Sequence, residues 1–310
     1  MDIGSGVGTG GSGMSQIVQL EKNYYYSDCC KHCEALLRKY SLISMRKIGE
    51  SVLGKPIFAL VLGHGTEHVH INAAVHANEW ITTPLLLRFI EQVAEMVHEE
   101  KENSKEAREW LQKVTLWAVP MVNPDGVDLV QKGIPQPCSY GKQLLEWNNG
   151  LDDFTHWKAN IRGIDLNDQF PAFWEEERSR RAIQEPAPQD YGGLKPLSEP
   201  EAAALANLTR DYQFARVLSL HSQGKEIYWN YREMEPANAE GIALRMANAG
   251  GYRAVKLSGS DAGYKDWFIY EFHRPGFTVE VGEGVNPLPP EQFDLIYEEL
   301  APILAQFMSE

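Results

Sequence analysis

Stretches of continuous apolar residues alternate along the chain with stretches in which apolar residues recur at helical spacing. The continuous runs predict buried strands at 57–62, 69–75, 114–119, 214–220 and 276–281. The helical spacing predicts helices between and after them, which begin at Thr83-Pro84, at Ser198, near Ala239 and near Phe293. Because strands alternate with helices and no repeat interrupts them, we predict an α/β fold: a single α/β/α sandwich domain on a mixed, mostly parallel twisted sheet.

Shorter segments carry residues typical of helix starts, turns and breaks. Ser198 and Glu201 have the spacing of a capping box, and Asn123–Gly126 has the composition of a turn. Pro302 should kink or divide the last helix. The region 131–195 shows little periodicity, and a loop of that length in a compact protein is usually functional, so we expect it to surround a site.

Composition excludes several classes of protein. Hydrophobic residues make up 43% of the 310 residues and charged residues 23%, which is a globular mixture and not a disordered one. The net charge of −14 would repel a phosphate backbone, so no nucleic-acid partner is expected. No apolar run approaches the roughly 20 residues that span a bilayer, so no membrane partner is expected either.

The first 14 residues are rich in Gly and Ser, which predicts a flexible tag or linker and leaves residues 15–310 as the folded domain. They have neither the basic start nor the apolar stretch of a secretory signal. We therefore predict a cytoplasmic location, although a truncated form of an exported protein would have the same sequence features.

Four cysteines, at positions 29, 30, 33 and 138, are too few for a disulfide scaffold in a chain of this length. Cys30, Cys33, Leu37 and Tyr40 have helical spacing after Ser27, which suits an N-cap, so they predict the buried stripe of an amphipathic helix. The competing interpretation, a zinc knuckle at Cys30 and Cys33, would require a second pair at matching spacing.

Residues that ligate metals follow two of the predicted strands. His76 and Glu79 come directly after the 69–75 strand, and His221 directly after the 214–220 strand. Three protein ligands with a fourth position left to water is the arrangement of catalytic zinc, and sites in open α/β sheets form at the carboxyl ends of strands. Alternative ligands in the same region are His64, His68 and His70, for which surface or strand packing is the competing interpretation.

Five ordered segments make the chain resemble the M14 zinc carboxypeptidases. They are AAVHANEW (73–80), VPMVNPDGVDL (119–129), WKANIRGIDLNDQFP (157–171), VLSLHSQG (217–224) and GFTVEVGEG (276–284). Two stretches, WKANIRGIDLNDQFPAFW (157–174) and GYKDW (263–267), resemble more narrowly the bacterial γ-D-glutamyl-L-diamino acid peptidases, which cut cell-wall peptides.

The resemblance implies one zinc ion per chain on His76, Glu79 and His221, the same three residues as the spacing indicates. It implies Glu280 as the general base that takes a proton from water and passes it to the leaving amine. Glu283, three residues further on, is the competing candidate for that role.

Two further roles follow from the resemblance. Arg162 is expected to stabilise the tetrahedral oxyanion, with a surface arginine as the competing interpretation. Asp165 is expected to orient the first zinc histidine, with a turn aspartate as its alternative.

The chain departs from ordinary carboxypeptidases at two places. Asn167-Asp168 stands where those enzymes have Asn-Arg, whose arginine grips the terminal carboxylate of the substrate. Asp168 reverses that charge and is expected to bind an ammonium of the substrate beside Asn167; a salt bridge to a neighbouring arginine is the alternative. Ser258 stands where the family places a tyrosine, although Tyr264 is expected nearby.

These observations predict a zinc metallopeptidase that hydrolyses the γ-D-glutamyl–meso-diaminopimelate bond of peptidoglycan peptides. The absence of a wall-binding module in the sequence favours free murein peptides as substrates. The alternatives are a conventional metallocarboxypeptidase, an N-acyl amino acid hydrolase, or a murein-peptide binding protein without activity.

Overall fold

The computed structural model describes residues 16–20, 22–98 and 104–310. The predicted linker at 1–14 lies outside these residues, so it and the domain boundary at residue 15 stay predictions.

A mixed eight-stranded sheet runs through the described residues in the order β1-β2-β4-β3-β5-β8-β6-β7. The central pairs β3–β4, β3–β5 and β5–β8 are parallel, as is the edge pair β6–β7; β1–β2, β2–β4 and β6–β8 are antiparallel. The strands are β1 (Ile43–Glu50), β2 (Pro56–Leu62), β3 (Glu67–Ala73), β4 (Val114–Val119), β5 (Arg216–Ser222), β6 (Glu226–Tyr228), β7 (Arg253–Val255) and β8 (Gly276–Val281).

Helices connect the strands and cover both faces of the sheet. They are α1 (Tyr26–Lys39), α2 (Thr82–His98), α3 (Ser104–Lys113), α4 (Pro124–Lys132), α5 (Gly141–Trp147), α6 (Trp174–Arg180), α7 (Pro200–Tyr212), α8 (Ala239–Gly250), α9 (Tyr264–Phe272) and α10 (Phe293–Ser309). Short 3₁₀ helices occur at Ala77–Glu79, Leu166–Asp168 and Pro290–Gln292. None of the helices in the described part of the chain is long and apolar enough to cross a membrane.

Two buried cores lie on opposite faces of the sheet because successive strand residues point to opposite sides. Leu218 of β5 belongs to the core formed with α1, α2, α8 and α10, whereas its neighbour Val217 belongs to the core formed with α7 and α9. The predicted α/β/α sandwich on a mixed sheet is therefore confirmed.

Some local features differ from the predictions, because turns and helix N-caps favour the same residue types. Asn123 is the N-cap of α4, since its side chain accepts a hydrogen bond from Gly126 and Pro124 takes the first helical turn. The predicted turn was therefore wrong. Helix α7 begins with Glu199 as N-cap, because the Ser198 hydroxyl contacts Gln169 instead of the helix.

The predicted buried stripe of helix α1 is confirmed only in part: Cys33 and Tyr40 are buried, whereas Cys30 and Leu37 are partly buried. The helix begins after Tyr25, earlier than the expected cap at Ser27, and its buried residues are Cys29, Cys33 and Leu36. All four cysteines are free thiols. Helix α10 continues through Pro302 without division.

The carboxyl ends of β3, β5 and β8 lie side by side in the middle of the sheet. The 131–195 region contains α5 and α6 and passes close to these ends, since the Ala77 N–H donates to the Lys158 carbonyl at 3.0 Å. This edge of the sheet holds the predicted chemistry.

Candidate active site

A sharp turn after β3 brings His76 and Glu79 to the same side of the chain. Ala74 adopts a left-handed conformation with φ of 48°, and its N–H donates to the Thr82 hydroxyl at 2.9 Å. That hydroxyl donates in turn to the Glu79 carbonyl at 2.7 Å, which closes the 3₁₀ helix at Ala77–Glu79. The His-x-x-Glu spacing thus places both side chains on one face of a tight, hydrogen-bonded turn.

The three predicted ligands converge in the interior. The Nδ1 atom of His76 lies 2.9 Å from Oε1 of Glu79, and the Nδ1 atom of His221 lies 2.9 Å from Oε2 of the same carboxylate. The two Nδ1 atoms are 3.0 Å apart, and all three residues are buried. Within the described residues, this is the group of histidine, cysteine and acidic side chains whose geometry could hold a metal ion.

The donor set fits zinc. Asp165 lies with Oδ1 3.2 Å from Nε2 of His76, and a carboxylate there favours a hydrogen on Nε2 and a lone pair on Nδ1, the atom that faces Glu79. Burial opposes ionisation of Asp165, but His76 and Lys158 outweigh it and lower the pKa of its carboxyl. Two imidazole nitrogens and one carboxylate are the ligand types of catalytic zinc sites.

The other histidines of this region are not part of the ligand group. His70 is buried, its Nδ1 lies 2.8 Å from the Trp117 carbonyl, and burial lowers its pKa to about 3. His68 accepts a hydrogen bond from the Trp117 indole, and His64 is exposed. Their role in packing therefore matches the competing interpretation of the sequence.

Glu280 stands beside the ligands because of strand register. It pairs with His221 across the parallel β5–β8 ladder and lines the same pocket as His76 and His221. Burial and the negative charge of Glu79 raise the pKa of Glu280 to about 8. Glu283, the competing candidate, is exposed and does not line this pocket.

The cation beside the ligands is Lys158, whereas the family resemblance implied Arg162. Lys158 lines the pocket with His76 and His221, and its Nζ lies 4.0 Å from Oδ2 of Asp165. Burial alone would lower the pKa of Lys158, but Asp165 and Glu79 raise it, so the ammonium stays charged.

Arg162 lies away from the pocket. Its Nε donates to the Tyr140 hydroxyl at 3.1 Å, and its Nη1 lies 3.5 Å from Glu199. The side chain of Asn160 accepts the Arg162 N–H at 2.9 Å and so closes a turn that directs the arginine outward. The structure therefore does not place Arg162 at the pocket; the cation of the same 157–171 segment that lines it is Lys158.

The pocket is also lined by Asn167, Asp168 and Arg181. Arg181, like Lys158, was not predicted from the sequence. Nη2 of Arg181 donates to Oδ1 of Asp168 at 2.9 Å, which is the salt bridge considered as the alternative for this aspartate. Burial and the nearby Asp165 raise the pKa of Asp168 to about 7, and Arg181 acts in the opposite direction.

Tyr264, which was expected near the site, does not line the pocket. It is fully buried, and its hydroxyl is hydrogen-bonded to that of Thr209 at 2.8 Å. The phenol that lines the pocket belongs to Tyr228, which donates to Glu226 at 2.7 Å.

Comparison with known proteins agrees with this geometry. The family model described as zinc carboxypeptidase matches residues 30–302. The chain is 43% identical over 285 residues to gamma-D-glutamyl-L-diamino acid endopeptidase 1 of Lysinibacillus sphaericus, with 92% of this chain and 72% of the relative covered.

Solved structures share the fold at lower identity. Carboxypeptidase A from Helicoverpa armigera superposes with a TM-score of 0.70 at 17% identity, covering 96% of this chain and 76% of that one. The murein-tripeptide amidase MpaA from Escherichia coli O157 superposes with a TM-score of 0.53 at 20% identity, covering 85% and 92%.

Proposed function

The chain belongs to the zinc carboxypeptidase family of metallopeptidases, and on that premise we propose that it hydrolyses the γ-D-glutamyl–diamino acid bond of peptidoglycan peptides, with meso-diaminopimelate as the diamino acid. The observation that carries the proposal is Asp168 in the substrate pocket, at the position where the resemblance places the carboxylate-gripping arginine of ordinary carboxypeptidases. The relative from L. sphaericus, which is named for cleavage at a diamino acid, supports it.

The site has the parts that hydrolysis of an amide requires. Zinc held by His76, Glu79 and His221 would act as a Lewis acid and make water nucleophilic at neutral pH. Glu280 takes the proton that the attacking water loses and delivers it to the leaving nitrogen. Its side chain lines the same pocket as the ligands, so it is placed to serve both steps.

In this proposal Lys158, and not Arg162, stabilises the tetrahedral oxyanion. Its ammonium lines the pocket next to His76 and Glu280, so it is available to an oxygen that becomes negative during the reaction. Asp165 fixes the orientation of the His76 ring. Asn167 lines the pocket, and its side-chain oxygen accepts the Tyr264 N–H at 3.3 Å, which leaves its amide nitrogen as the group to donate to a substrate.

Product analysis tests the proposal. Mass spectrometry after incubation with L-Ala-γ-D-Glu-meso-diaminopimelate should detect L-Ala-D-Glu and free diaminopimelate. If that peptide stays intact while an ordinary peptide loses its C-terminal residue, the chain is a conventional carboxypeptidase. Turnover of neither, with retained peptide binding, would indicate the inactive binding protein. A cytoplasmic location and a preference for free murein peptides stay predictions from the sequence.

A further inference from the structure

An ion pair lies in the substrate pocket at a distance from the metal ligands. Asp168 accepts a hydrogen bond on Oδ1 from Nη2 of Arg181 at 2.9 Å, and Oδ2 lies at the same distance from that nitrogen. Both side chains line the pocket that also contains His76 and Glu280. None of the catalytic steps described above uses this pair.

The guanidinium of Arg181 is fixed in place but remains partly open. Its Nε lies 2.7 Å from Glu177 and its Nη1 lies 3.3 Å from Asp190, so acids hold it on three sides. The side chain is nevertheless 31% exposed, and the Asp190 contact is long and partly exposed. A fixed guanidinium with unused N–H groups is suited to bind a further carboxylate.

Asp168 offers an acceptor for a hydrogen bond from a ligand. Its side chain is 5% exposed, yet Oδ2 makes no hydrogen bond of good geometry to any described residue. A buried carboxylate oxygen that has an ion pair but no well-directed hydrogen bond can still accept one from a ligand. A ligand ammonium would add positive charge to a group in which Asp168, Glu177 and Asp190 contact Arg181 and Glu177 also contacts Arg180.

Together the pair offers an acceptor for an ammonium and donors for a carboxylate only a few ångströms apart. We propose that Asp168 and Arg181 jointly bind the ammonium–carboxylate centre at the far end of the diaminopimelate side chain, Asp168 the ammonium and Arg181 the carboxylate. This inference rests on the proposed function and names how the site recognises its substrate.

Another ion pair of the pocket, Lys265 with Asp266, is less suited to this role. Lys265 and Asp266 lie 2.5 Å apart, and the Lys265 ammonium also donates to the Asn230 carbonyl at 2.6 Å. Both side chains are almost fully buried. Their groups are already paired with each other and with the backbone, whereas Asp168 and Arg181 keep unused positions.

Four peptides that differ only in the last residue separate the two contacts. Each begins L-Ala-γ-D-Glu; the last residue is meso-diaminopimelate (both groups), L-lysine (ammonium only), L-2-aminopimelate (carboxylate only) or L-norleucine (neither). The zinc-loaded wild type, Arg181→Gln, Asp168→Asn and Arg178→Gln are compared for kcat and KM. Arg178 is the matched control because it is an arginine of α6 that contacts the Trp174 ring and does not line the pocket.

We expect Arg181→Gln to lower kcat/KM roughly 10- to 100-fold for the two peptides with a distal carboxylate, mainly through KM, and to change the other two little. Asp168→Asn should have that effect on the two peptides with a distal ammonium. Arg178→Gln should resemble the wild type on all four.

Equal losses on all four peptides would overturn the proposal, since they would show a structural role for the pair. A wild type that cleaves the norleucine peptide as well as the diaminopimelate peptide would overturn it too. Failure of the proposed function itself is a different result, namely no cleavage of any of the four peptides by the wild type.

Discussion

Glu280 and His221 occupy paired positions on neighbouring parallel strands, β8 and β5. Both point into the pocket at the carboxyl ends of these strands, so the main-chain hydrogen bonds of the sheet fix the distance from the base to a metal ligand. Such rigid placement distinguishes Glu280 from Glu283, which lies in the exposed segment after the strand.

Replacing Glu280 should separate chemistry from metal binding. Glu280→Gln keeps the size of the side chain but cannot take a proton, so kcat should fall at least ~100-fold while zinc stays bound. Elemental analysis and turnover on the same preparation check this. Glu283→Gln serves as the control and should be close to wild type; the reverse pattern would make Glu283 the base.

Loss of one ligand should remove the metal. His221→Ala leaves His76 and Glu79, which are too few protein ligands for a catalytic zinc site, so zinc content and activity should fall together. A chelator should inactivate the wild type, and added zinc should restore it. Full activity in protein that contains no transition metal would contradict the assignment of the site.

Lys158 and Arg162 form a matched pair of variants. Lys158→Ala should lower kcat ~100-fold, the usual effect of removing one group that stabilises an oxyanion. Arg162→Ala should have little effect on kcat, because its side chain contacts Tyr140 and Glu199 outside the pocket. Steady-state kinetics on the diaminopimelate tripeptide decide between them, and a large kcat loss at Arg162 alone would restore the sequence-based expectation.

Glu201 should make stability depend on pH. It is fully buried, and burial raises its pKa to about 7, although its carboxylate accepts the Val52 N–H at 3.0 Å. Because the pKa is higher in the folded than in the unfolded state, its contribution is complete below the ordinary value of 4.5 and is lost as pH rises from there to about 7.

Glu201→Gln should remove this pH dependence. A shift of this size corresponds to up to about 3 kcal/mol between the two protonation states, so the variant should lose less stability than the wild type between a pH near 4.5 and a pH above about 7. Urea unfolding at both pH values measures the difference. The same pH dependence in both proteins would show that Glu201 is not its source.

The sequence predicts the metal ligands because they depend on local features. His76, Glu79 and His221 follow strands whose apolar runs are easily recognised, and the ends of parallel strands meet at one edge of a sheet. Elements without a clear hydrophobic period were not predicted. Strand β1 (Ile43–Glu50) alternates irregularly between buried and exposed residues, and α9 is buried on nearly all sides, so neither has a clear period.

The sequence does not predict which cations enter the pocket, because the 131–195 region is shaped by long-range contacts. The N–H groups of Lys158 and Ala159 both donate to the Pro188 carbonyl, thirty residues further on. Arg181 donates a hydrogen bond to Asp168 in the same region. Between these two residues helix α6 begins after Phe173, which has a left-handed conformation. No local pattern indicates such a contact.

Cleavage of the tetrapeptide L-Ala-γ-D-Glu-meso-diaminopimelyl-D-Ala is the most direct test of the central claim. A γ-D-glutamyl–diamino acid peptidase cuts the internal bond, so mass spectrometry should detect L-Ala-D-Glu and diaminopimelyl-D-Ala, with no product from Glu280→Gln. Release of free D-Ala together with the intact tripeptide would contradict the claim and would identify a conventional carboxypeptidase.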